Sequence, residues 1–561
     1  MGTNKKLLLL STAIIIITGF LIYSNALFND FVWDDELLIT KNHYVTHFSS
    51  QFIKNIFSSH ISEGGGMRSN FYRPAQLLSY ILDYFLYGLN PKGFHLTNIL
   101  LHIIVSVLVL ILMKDIFKNI YLGLVTSLMF LVHPIHTEAI TYISGRAEPL
   151  VALFSLLCLI FFIKYFLNFR IYFIFLSSLF FMCALLSKES AIILPLLLLV
   201  TFIFKNSSKK TKFVELYILL PYILIISVYI LLRLTILKFI IEDLVTPLNA
   251  SPLHFFKCLS LACEILIFPH ALHMEYGAFT PHLFEPRVLL GGAIILASAG
   301  SFLIKKPVFK PLQFGIIWFF ISYIPYSNIY PLNAFFAEHW LYLPSIGFFL
   351  ILGTVIIILR NKYSRLFPLI LTVILLYIIY LSFQTILQNS YWKNQKSIYK
   401  YTLKHNPRST RLCNNLGIIY AHEGKNKLAL DMYNKALLIN PRNTETYYNV
   451  GNLLTKMGQF IEAEKYYLKA IDTEPNNAKA HYCLGNLYAR LNKSKKAINH
   501  YNHALSSNPY FIEAINNLGA VYYLEGNFTT AKHFWEKALS LAPDHPDPKR
   551  NLEMLQKRQA K

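Results

Sequence analysis

Apolar and polar positions divide this sequence into two parts. Up to about residue 390, long apolar runs alternate with short polar connections, whereas the remaining residues are polar with regularly spaced apolar positions. A helix needs about 20 apolar residues to cross the roughly 30 Å hydrocarbon core of a bilayer. We predict eleven membrane-spanning helices, near 7–27, 94–113, 119–137, 148–168, 171–187, 190–204, 213–235, 288–304, 311–327, 341–359 and 366–388. A shorter apolar stretch at 253–269 contains His254, Lys257 and Glu264, so we expect it to be re-entrant or interfacial.

The positive charges of the connections indicate the orientation in the membrane. Cytoplasmic connections are enriched in Lys and Arg, and here every second connection is basic. With eleven spans, this pattern places the N-terminus in the cytoplasm and the polar C-terminal part outside it. The basic positions are Lys5, Lys6, Lys114, Lys118, Lys164, Arg170, Lys205, Lys209, Lys210, Lys212, Lys305, Lys306, Lys310, Arg360, Lys362 and Arg365.

The net charge of +22 therefore reflects membrane topology. Because the charges are scattered over short loops and form no single basic face, we expect no nucleic-acid binding. The abundance of Ile, Lys and Asn favours a bacterial inner membrane over the endoplasmic reticulum.

The polar C-terminal part repeats itself every 34 residues. Small residues recur in step, and each copy ends at a proline: Leu416-Gly417, Val450-Gly451, Leu484-Gly485 and Leu518-Gly519, then Pro441, Pro475, Pro509 and Pro543. This period is that of the tetratricopeptide repeat, a pair of antiparallel helices that stack into a superhelix with a concave binding face.

The sequence thus predicts an all-α protein with a polytopic membrane domain and an α-solenoid. We assign residues 1–390 to the membrane domain, with outer loops at 28–93 and 132–148. A degenerate repeat helix at 391–409 joins the domains. Four repeats follow at 410–443, 444–477, 478–511 and 512–545, and 546–561 forms a C-terminal helix or tail.

The first outer loop contains adjacent acids just after the first span. Asp34 and Asp35 follow Trp33, and charges this close to lipid need a reason. One acid could act as a general base toward an acceptor hydroxyl. Alternatively, both acids could cap a solvated helix. Arg73, later in this loop, is suited to bidentate binding of phosphate, or to snorkelling at the interface.

Further charged and imidazole groups lie between later spans. The second outer loop could hold a divalent metal through its histidines and a carboxylate, although the spacing is not a standard zinc pattern. A site for the anionic head of a lipid donor, bound through Arg146, is the preferred alternative. Lys188 and Glu189 form another outer turn and could be an internal ion pair. The remaining candidates are His133, His136, Glu138, Glu148 and His339.

Several strings in this order resemble one family: FVWDDELLITKNHYV, YRPAQLLSYILDYFLYGLNPKGFHLTNILLHI, HPIHTEAITYISGRAEPL, KESAIILPLLLL and EHWLYLPSIGF, followed by the repeats. It is the transmembrane and tetratricopeptide-repeat-containing family of O-mannosyltransferases with its bacterial relatives. The resemblance implies a GT-C glycosyltransferase that transfers mannose, with inversion, from a polyprenyl-phosphate carrier to Ser or Thr of exported proteins. The sequence departs from the family in having Trp33 where His is expected and only four clear repeats.

The resemblance assigns roles to these residues. It makes Asp35, or second Asp34, the catalytic base, and Arg73, Arg146 and Lys188 the cations that bind the donor phosphate. The donor or sugar pocket would contain His133, His136, Glu138, Glu148, Glu189 and His339. No cofactor is required besides the lipid-linked sugar, and a divalent metal stays possible.

Asparagines at the sixth position of three repeats, Asn415, Asn449 and Asn517, could bind the backbone of an acceptor peptide, since an amide both donates and accepts hydrogen bonds. They could instead bridge adjacent helices, and Cys483 interrupts the series. Two other functions stay open. One is a non-enzymatic membrane scaffold, and the other is a GT-C enzyme acting on an envelope glycan or lipid.

Overall fold

A computed structural model describes residues 2–47, 50–67, 69–205, 217–235, 252–277, 280–329, 332, 334–543 and 545–559. Within these ranges all regular secondary structure is helical. The chain forms two compact units, Met1–His405 and Asn406–Lys561. The basic positions Lys209, Lys210 and Lys212, and the first residues of the expected span 213–235, lie outside the described residues.

The first unit contains seventeen α-helices within the described residues: α1 (Gly2–Tyr23), α2 (His43–Thr46), α3 (Ser50–Ser58), α4 (Pro74–Tyr87), α5 (Pro91–Phe117), α6 (Ile120–Val132), α7 (Thr137–Ile140), α8 (Ala147–Asn168), α9 (Tyr172–Ser187), α10 (Leu194–Lys205), α11 (Leu220–Thr235), α12 (Pro252–Ile267), α13 (Pro286–Ser301), α14 (Lys310–Tyr323), α15 (Pro344–Lys362), α16 (Phe367–Tyr391) and α17 (Gln395–His405).

Each of the eleven predicted spans coincides with one of these helices. In the described part of the chain, seven helical segments are long and apolar enough to cross a membrane, and α6 with α7 makes an eighth if the pair, bent by 54°, is one span. Helices α9 and α13 are apolar but shorter. The membrane character is therefore confirmed, whereas the number of eleven crossings stays a prediction. The stretch expected to be re-entrant forms helix α12, which packs against α13.

Close helix contacts in this unit depend on small residues. A Cβ atom added to Gly315 on α14 would lie 2.6 Å from the carbonyl oxygen of Gly347 on α15, and one on Gly347 would meet the carbonyl oxygen of Gly315. Side chains at these two positions would separate the helices, and small residues at such crossings are typical of membrane helix pairs.

The second unit contains four helix pairs and a final helix. These are α18 (Thr410–His422) with α19 (Asn426–Ile439), α20 (Thr444–Lys456) with α21 (Phe460–Thr473), α22 (Ala478–Arg490) with α23 (Ser494–Ser507), and α24 (Ile512–Leu524) with α25 (Phe528–Leu541), followed by α26 (Pro546–Gln559). The expected joining segment 391–409 is divided, because α17 belongs to the first unit.

The repeated glycines explain why each pair packs closely. A Cβ atom on Gly451 would lie 2.5 Å from the ring of Tyr467 on the partner helix, and one on Gly485 would lie 2.7 Å from the ring of Tyr501. Side-chain caps start the first helices of three repeats, where Ser409, Asn443 and Asn477 accept backbone N–H bonds.

Candidate functional site

The two adjacent acids of the first outer loop have opposite environments. Asp35 is fully buried and accepts three hydrogen bonds, from the N–H of Val32 at 2.9 Å and from the N–H and hydroxyl of Ser144 at 2.8 and 2.5 Å. Burial raises the pKa of the Asp35 carboxyl to about 7, although these hydrogen bonds oppose the change. Asp35 thus fastens the first outer loop to the second.

Asp34 is exposed, next to this fixed turn. It lies beside Tyr142, whose pKa is raised well above its usual value by burial and by the Asp34 charge. The first choice for the base, Asp35, is thus enclosed by the protein, and both of its carboxylate oxygens accept hydrogen bonds there. Asp34 is the more exposed of the two predicted acids.

Arg146 is a buried cation that holds loops together. Its Nη2 lies 2.5 Å from the carboxylate of Asp83 and its Nε donates to Asn98 at 2.6 Å. Further bonds go to the carbonyl oxygens of Ser79 and Phe94. The predicted role of Arg146 as a phosphate ligand does not fit this geometry, because the guanidinium is fully buried and already paired.

The other two predicted cations form a charged network between outer loops. Arg73 donates two hydrogen bonds to Glu189, at 2.7 and 3.2 Å, and Lys188 pairs with Glu148. Burial alone would raise the pKa of Glu189, but the Arg73 charge and hydrogen bonds lower it to about 2. The Lys188–Glu148 pair is buried, whereas Arg73 and Glu189 are partly exposed. The sequence had suggested that Lys188 and Glu189 pair with each other. In the structure each pairs with a residue from another segment.

Sequence reasoning missed Arg233 near this network. Its guanidinium, at the end of α11, donates to the carbonyl oxygen of Asn70 at 3.1 Å and lies over the Tyr229 ring. The sequence could have indicated Arg233, because an arginine inside an apolar run near the expected end of a span is a functional candidate.

His133 and His136 lie in the core of the membrane unit. Both are fully buried, with His136 packed against the rings of Phe130 and Tyr342 at 4.4 and 4.8 Å. The Nδ1 atom of His133 accepts the N–H of Ile135. Within the described ranges no three His, Cys, Asp or Glu side chains come together as metal ligands. The predicted place of both histidines in a sugar pocket is not supported by these surroundings.

Glu138 and His339 form a contact between the second outer loop and the segment that precedes α15. Glu138 accepts the backbone N–H of His339 at 3.0 Å, and its carboxylate lies 3.0 Å from Nδ1 of the same residue. The adjacent Glu338, to which the sequence assigned no role, accepts the hydroxyl of Tyr276 at 2.8 Å. Burial, and secondarily the charge of Glu138, raises the pKa of Glu338 well above its usual value.

The asparagines of the repeats bridge neighbouring repeats in two cases. Asn449 donates to Asn414 at 3.0 Å, and Asn517 donates to Asn486 at 2.9 Å. Asn415 is partly exposed. The bridging alternative thus describes Asn449 and Asn517, although the carbonyl group of each side chain keeps further acceptor capacity.

Sequence comparisons support both halves of this architecture. The family model "Tetratricopeptide repeat" matches residues 410–443, 432–465, 478–511 and 512–545, and the model "TPR repeat" matches 451–492. Protein O-mannosyl-transferase TMTC3 of Homo sapiens is 27% identical over 466 residues, which cover 74% of this chain and 50% of the relative. Protein O-mannosyl-transferase F38B6.6 of Caenorhabditis elegans is 27% identical over 460 residues, covering 77% and 62%.

The chain is thus similar to protein O-mannosyl-transferases over about three quarters of its length. The resemblance expected from the sequence strings is thereby confirmed. Protein O-mannosyl-transferase TMTC2 of Homo sapiens is 35% identical over a shorter stretch of 150 residues, 26% of this chain and 18% of the relative. The chain spans about half the length of the human TMTC3 relative.

Two solved structures are similar to part of this chain. A crystal structure of MamA is 27% identical, covers 26% of this chain and 85% of the solved one, and has a TM-score of 0.24. A crystal structure of YrrB, described as a TPR protein with an unusual peptide-binding site, is 23% identical, covers 28% and 81%, and has a TM-score of 0.24.

Proposed function

We propose that this protein is a membrane glycosyltransferase that moves a mannosyl group from a polyprenyl-phosphate carrier to Ser or Thr hydroxyl groups of proteins. The observation that carries the proposal is the exposed carboxylate of Asp34, held next to the end of the first span by the buried Asp35. The names of the relatives support protein O-mannosylation. The alternation of basic connections supports placing this acid and the repeats outside the cytoplasm.

Asp34 acts as the general base in this proposal. Its carboxylate takes the proton of the acceptor hydroxyl while the acceptor oxygen attacks C1 of the sugar. The bond from C1 to the phosphate oxygen breaks on the opposite face, so the configuration at C1 inverts and polyprenyl phosphate leaves with the bonding electrons. A positioned base of this kind accelerates a reaction by about 10²- to 10⁴-fold.

Arg73 is the cation best placed to bind the donor phosphate. Its bidentate contact to Glu189 shows that the guanidinium fork is held in a geometry suited to two oxygen atoms, and both partners are partly exposed. A phosphate can therefore replace the carboxylate of Glu189. Lys188 and Arg233 supply further positive charge nearby, and the repeats capture the acceptor protein.

The base is tested by mannosyl transfer in liposomes from radiolabelled polyprenyl-phosphate mannose to Ser/Thr-rich peptides. We expect Asp34→Asn to lower the rate by at least about 100-fold without changing the thermal midpoint. Glu36→Gln is the matched control, because Glu36 is an exposed neighbouring carboxylate that pairs with exposed Lys41. It should stay within about twofold of wild type.

Asp35→Asn separates the roles of the two acids. The new amide N–H₂ would face an N–H donor or the Ser144 hydroxyl, so we expect a loss of about 1–3 kcal/mol of stability.

Equal rates for wild type and Asp34→Asn would remove the catalytic assignment. Transfer by neither protein, with folding verified, would favour another acceptor, such as an envelope glycan or lipid, or a scaffold function.

A further inference from the structure

Trp33 has a backbone conformation that bulky residues rarely adopt. Its φ angle is +51°, in the left-handed region where a Cβ atom meets the backbone. Lys118 and Phe169 also have positive φ, but they end helices α5 and α8. Trp33 ends no helix and lies directly before Asp34, so helix capping does not account for its conformation.

The hydrogen bonds of Asp35 hold this turn in place. The carboxylate binds the N–H of Val32 on one side of Trp33, and it binds Ser144 in the other outer loop. Backbone strain persists only where surrounding contacts enforce it, and such sites are often functional. The buried acid therefore holds the backbone turn that carries the Trp33 side chain.

The indole of Trp33 belongs to a column of three stacked aromatic rings. The ring centroids of Trp33 and Tyr142 are 6.0 Å apart with an interplanar angle of 22°, and those of Tyr142 and Trp392 are 5.4 Å apart at 21°. Tyr142 and Trp392 are buried, whereas Trp33 is partly exposed. The column thus presents a rigid aromatic surface beside the exposed carboxylate of Asp34.

A rigid aromatic surface next to a carboxylate suits a pyranose ring. One face of a hexopyranose carries several C–H groups that pack against an aromatic ring, whose face is electron-rich. The hydroxyl groups at the edge of the sugar can donate hydrogen bonds to a carboxylate. A ring already held by stacking and by its backbone loses little conformational freedom on binding.

We propose that Trp33 binds the pyranose ring of the transferred sugar and positions its C1 atom beside Asp34. The inference rests on the proposed function in taking that sugar to be the mannosyl group of the donor. Trp33 stands where the resembling family is expected to have His, so this contact would be a property of the present chain. Trp33 is a positioning residue, and the proton transfer stays with Asp34.

The test combines a binding and a kinetic measurement on the full chain in detergent. Saturation-transfer NMR with methyl α-mannoside measures sugar contact without turnover, and the transfer assay separates donor KM from kcat. For Trp33→Ala we expect loss of the saturation-transfer signal and at least a tenfold rise in donor KM, with a smaller change in kcat. Trp33→Phe keeps a stacked ring, so it should retain most of the saturation-transfer signal and a donor KM close to that of wild type.

Phe28→Ala is the matched control, since Phe28 is an exposed aromatic residue of the same loop outside the column. It should leave the signal and KM unchanged. A wild-type signal and KM in folded Trp33→Ala, or equal losses in Phe28→Ala, would overturn the proposed sugar-binding role of Trp33.

The two hypotheses fail separately. If Asp34→Asn abolishes transfer while Trp33→Ala keeps the wild-type KM and saturation-transfer signal, the sugar-binding role of Trp33 is wrong and the enzyme assignment stands. If neither wild type nor any variant transfers mannose but the saturation-transfer signal depends on Trp33, the sugar-binding role of Trp33 stands and the proposed reaction is wrong.

Discussion

Replacing Arg146 distinguishes a structural cation from a donor ligand. In the structure its guanidinium is fully buried, 2.5 Å from Asp83 and 2.6 Å from Asn98, with the Tyr80 ring 4.8 Å away. Arg146→Met keeps most of the side-chain volume but leaves the carboxylate of Asp83 buried and unpaired. Breaking one partner of a buried pair costs about 3–5 kcal/mol, most of it the penalty for the charge left behind.

The expected change in thermal midpoint follows from the size of the unit. Unfolding entropy of about 2.1 cal/mol/K per residue, over the 405 residues of Met1–His405, is about 0.85 kcal/mol/K. Arg146→Met should therefore lower the midpoint by roughly 4–6 °C. Adding Asp83→Leu removes the orphaned charge, so the double variant should recover most of this loss.

The midpoint is measured by tryptophan fluorescence in detergent, with donor KM measured on the folded fraction. Arg287→Met is the matched control, because Arg287 forms a more exposed ion pair with Glu264 at 3.0 Å. Such pairs contribute about 0–1 kcal/mol. An unchanged midpoint for Arg146→Met together with a tenfold higher donor KM would refute the structural role and restore Arg146 as a phosphate ligand.

Three further predictions concern other buried groups. Glu338→Gln should cost less stability than Glu138→Gln, because burial raises the pKa of Glu338 well above its usual value and so favours the neutral form that an amide resembles. Glu138→Gln should cost about 1–3 kcal/mol through its contacts with His339. Comparable thermal midpoints for the two variants would contradict this. Burial and two neighbouring histidines lower the pKa of His500 to about 4, so stability present above about pH 6.5 is lost as pH falls toward 4. Hydrogen exchange in α22 and α23, corrected for intrinsic rates, should show this loss of stability in wild type and a smaller loss in His500→Tyr. Equal losses in the two proteins would argue against a role for His500. Gly451→Ala should destabilise the repeats by about 1–3 kcal/mol, because the methyl group meets the Tyr467 ring at 2.5 Å. A urea midpoint equal to that of wild type would show that the ring can move aside.

The helices were predictable because their causes are local. Each apolar run long enough to satisfy a bilayer became a helix, since backbone groups in hydrocarbon must bond within their own segment. The repeats were predictable for a related reason, because close packing of each helix pair requires small residues at a fixed period, as at Gly451 and Gly485.

The candidate site was predictable only as a set of charged residues in outer loops. Which charges pair depends on how distant segments meet. Arg73 contacts Glu189, 116 positions away, and Glu138 contacts His339, 201 positions away. The sequence offered Lys188 and Glu189 as a pair because they are neighbours, yet neighbouring side chains on a turn point in different directions.

The sequence alone determined that this protein has a helical membrane part, a four-repeat solenoid and an acid pair after the first span, because hydrophobicity, period and order are properties of the chain itself. Only the tertiary structure decided that Asp35 is buried, that Asp34 is exposed, and that Arg146 neutralises Asp83. The physical reason is that the energy of a charge depends on its solvent access and its nearest partners. Both are fixed when loops from separate helices come together.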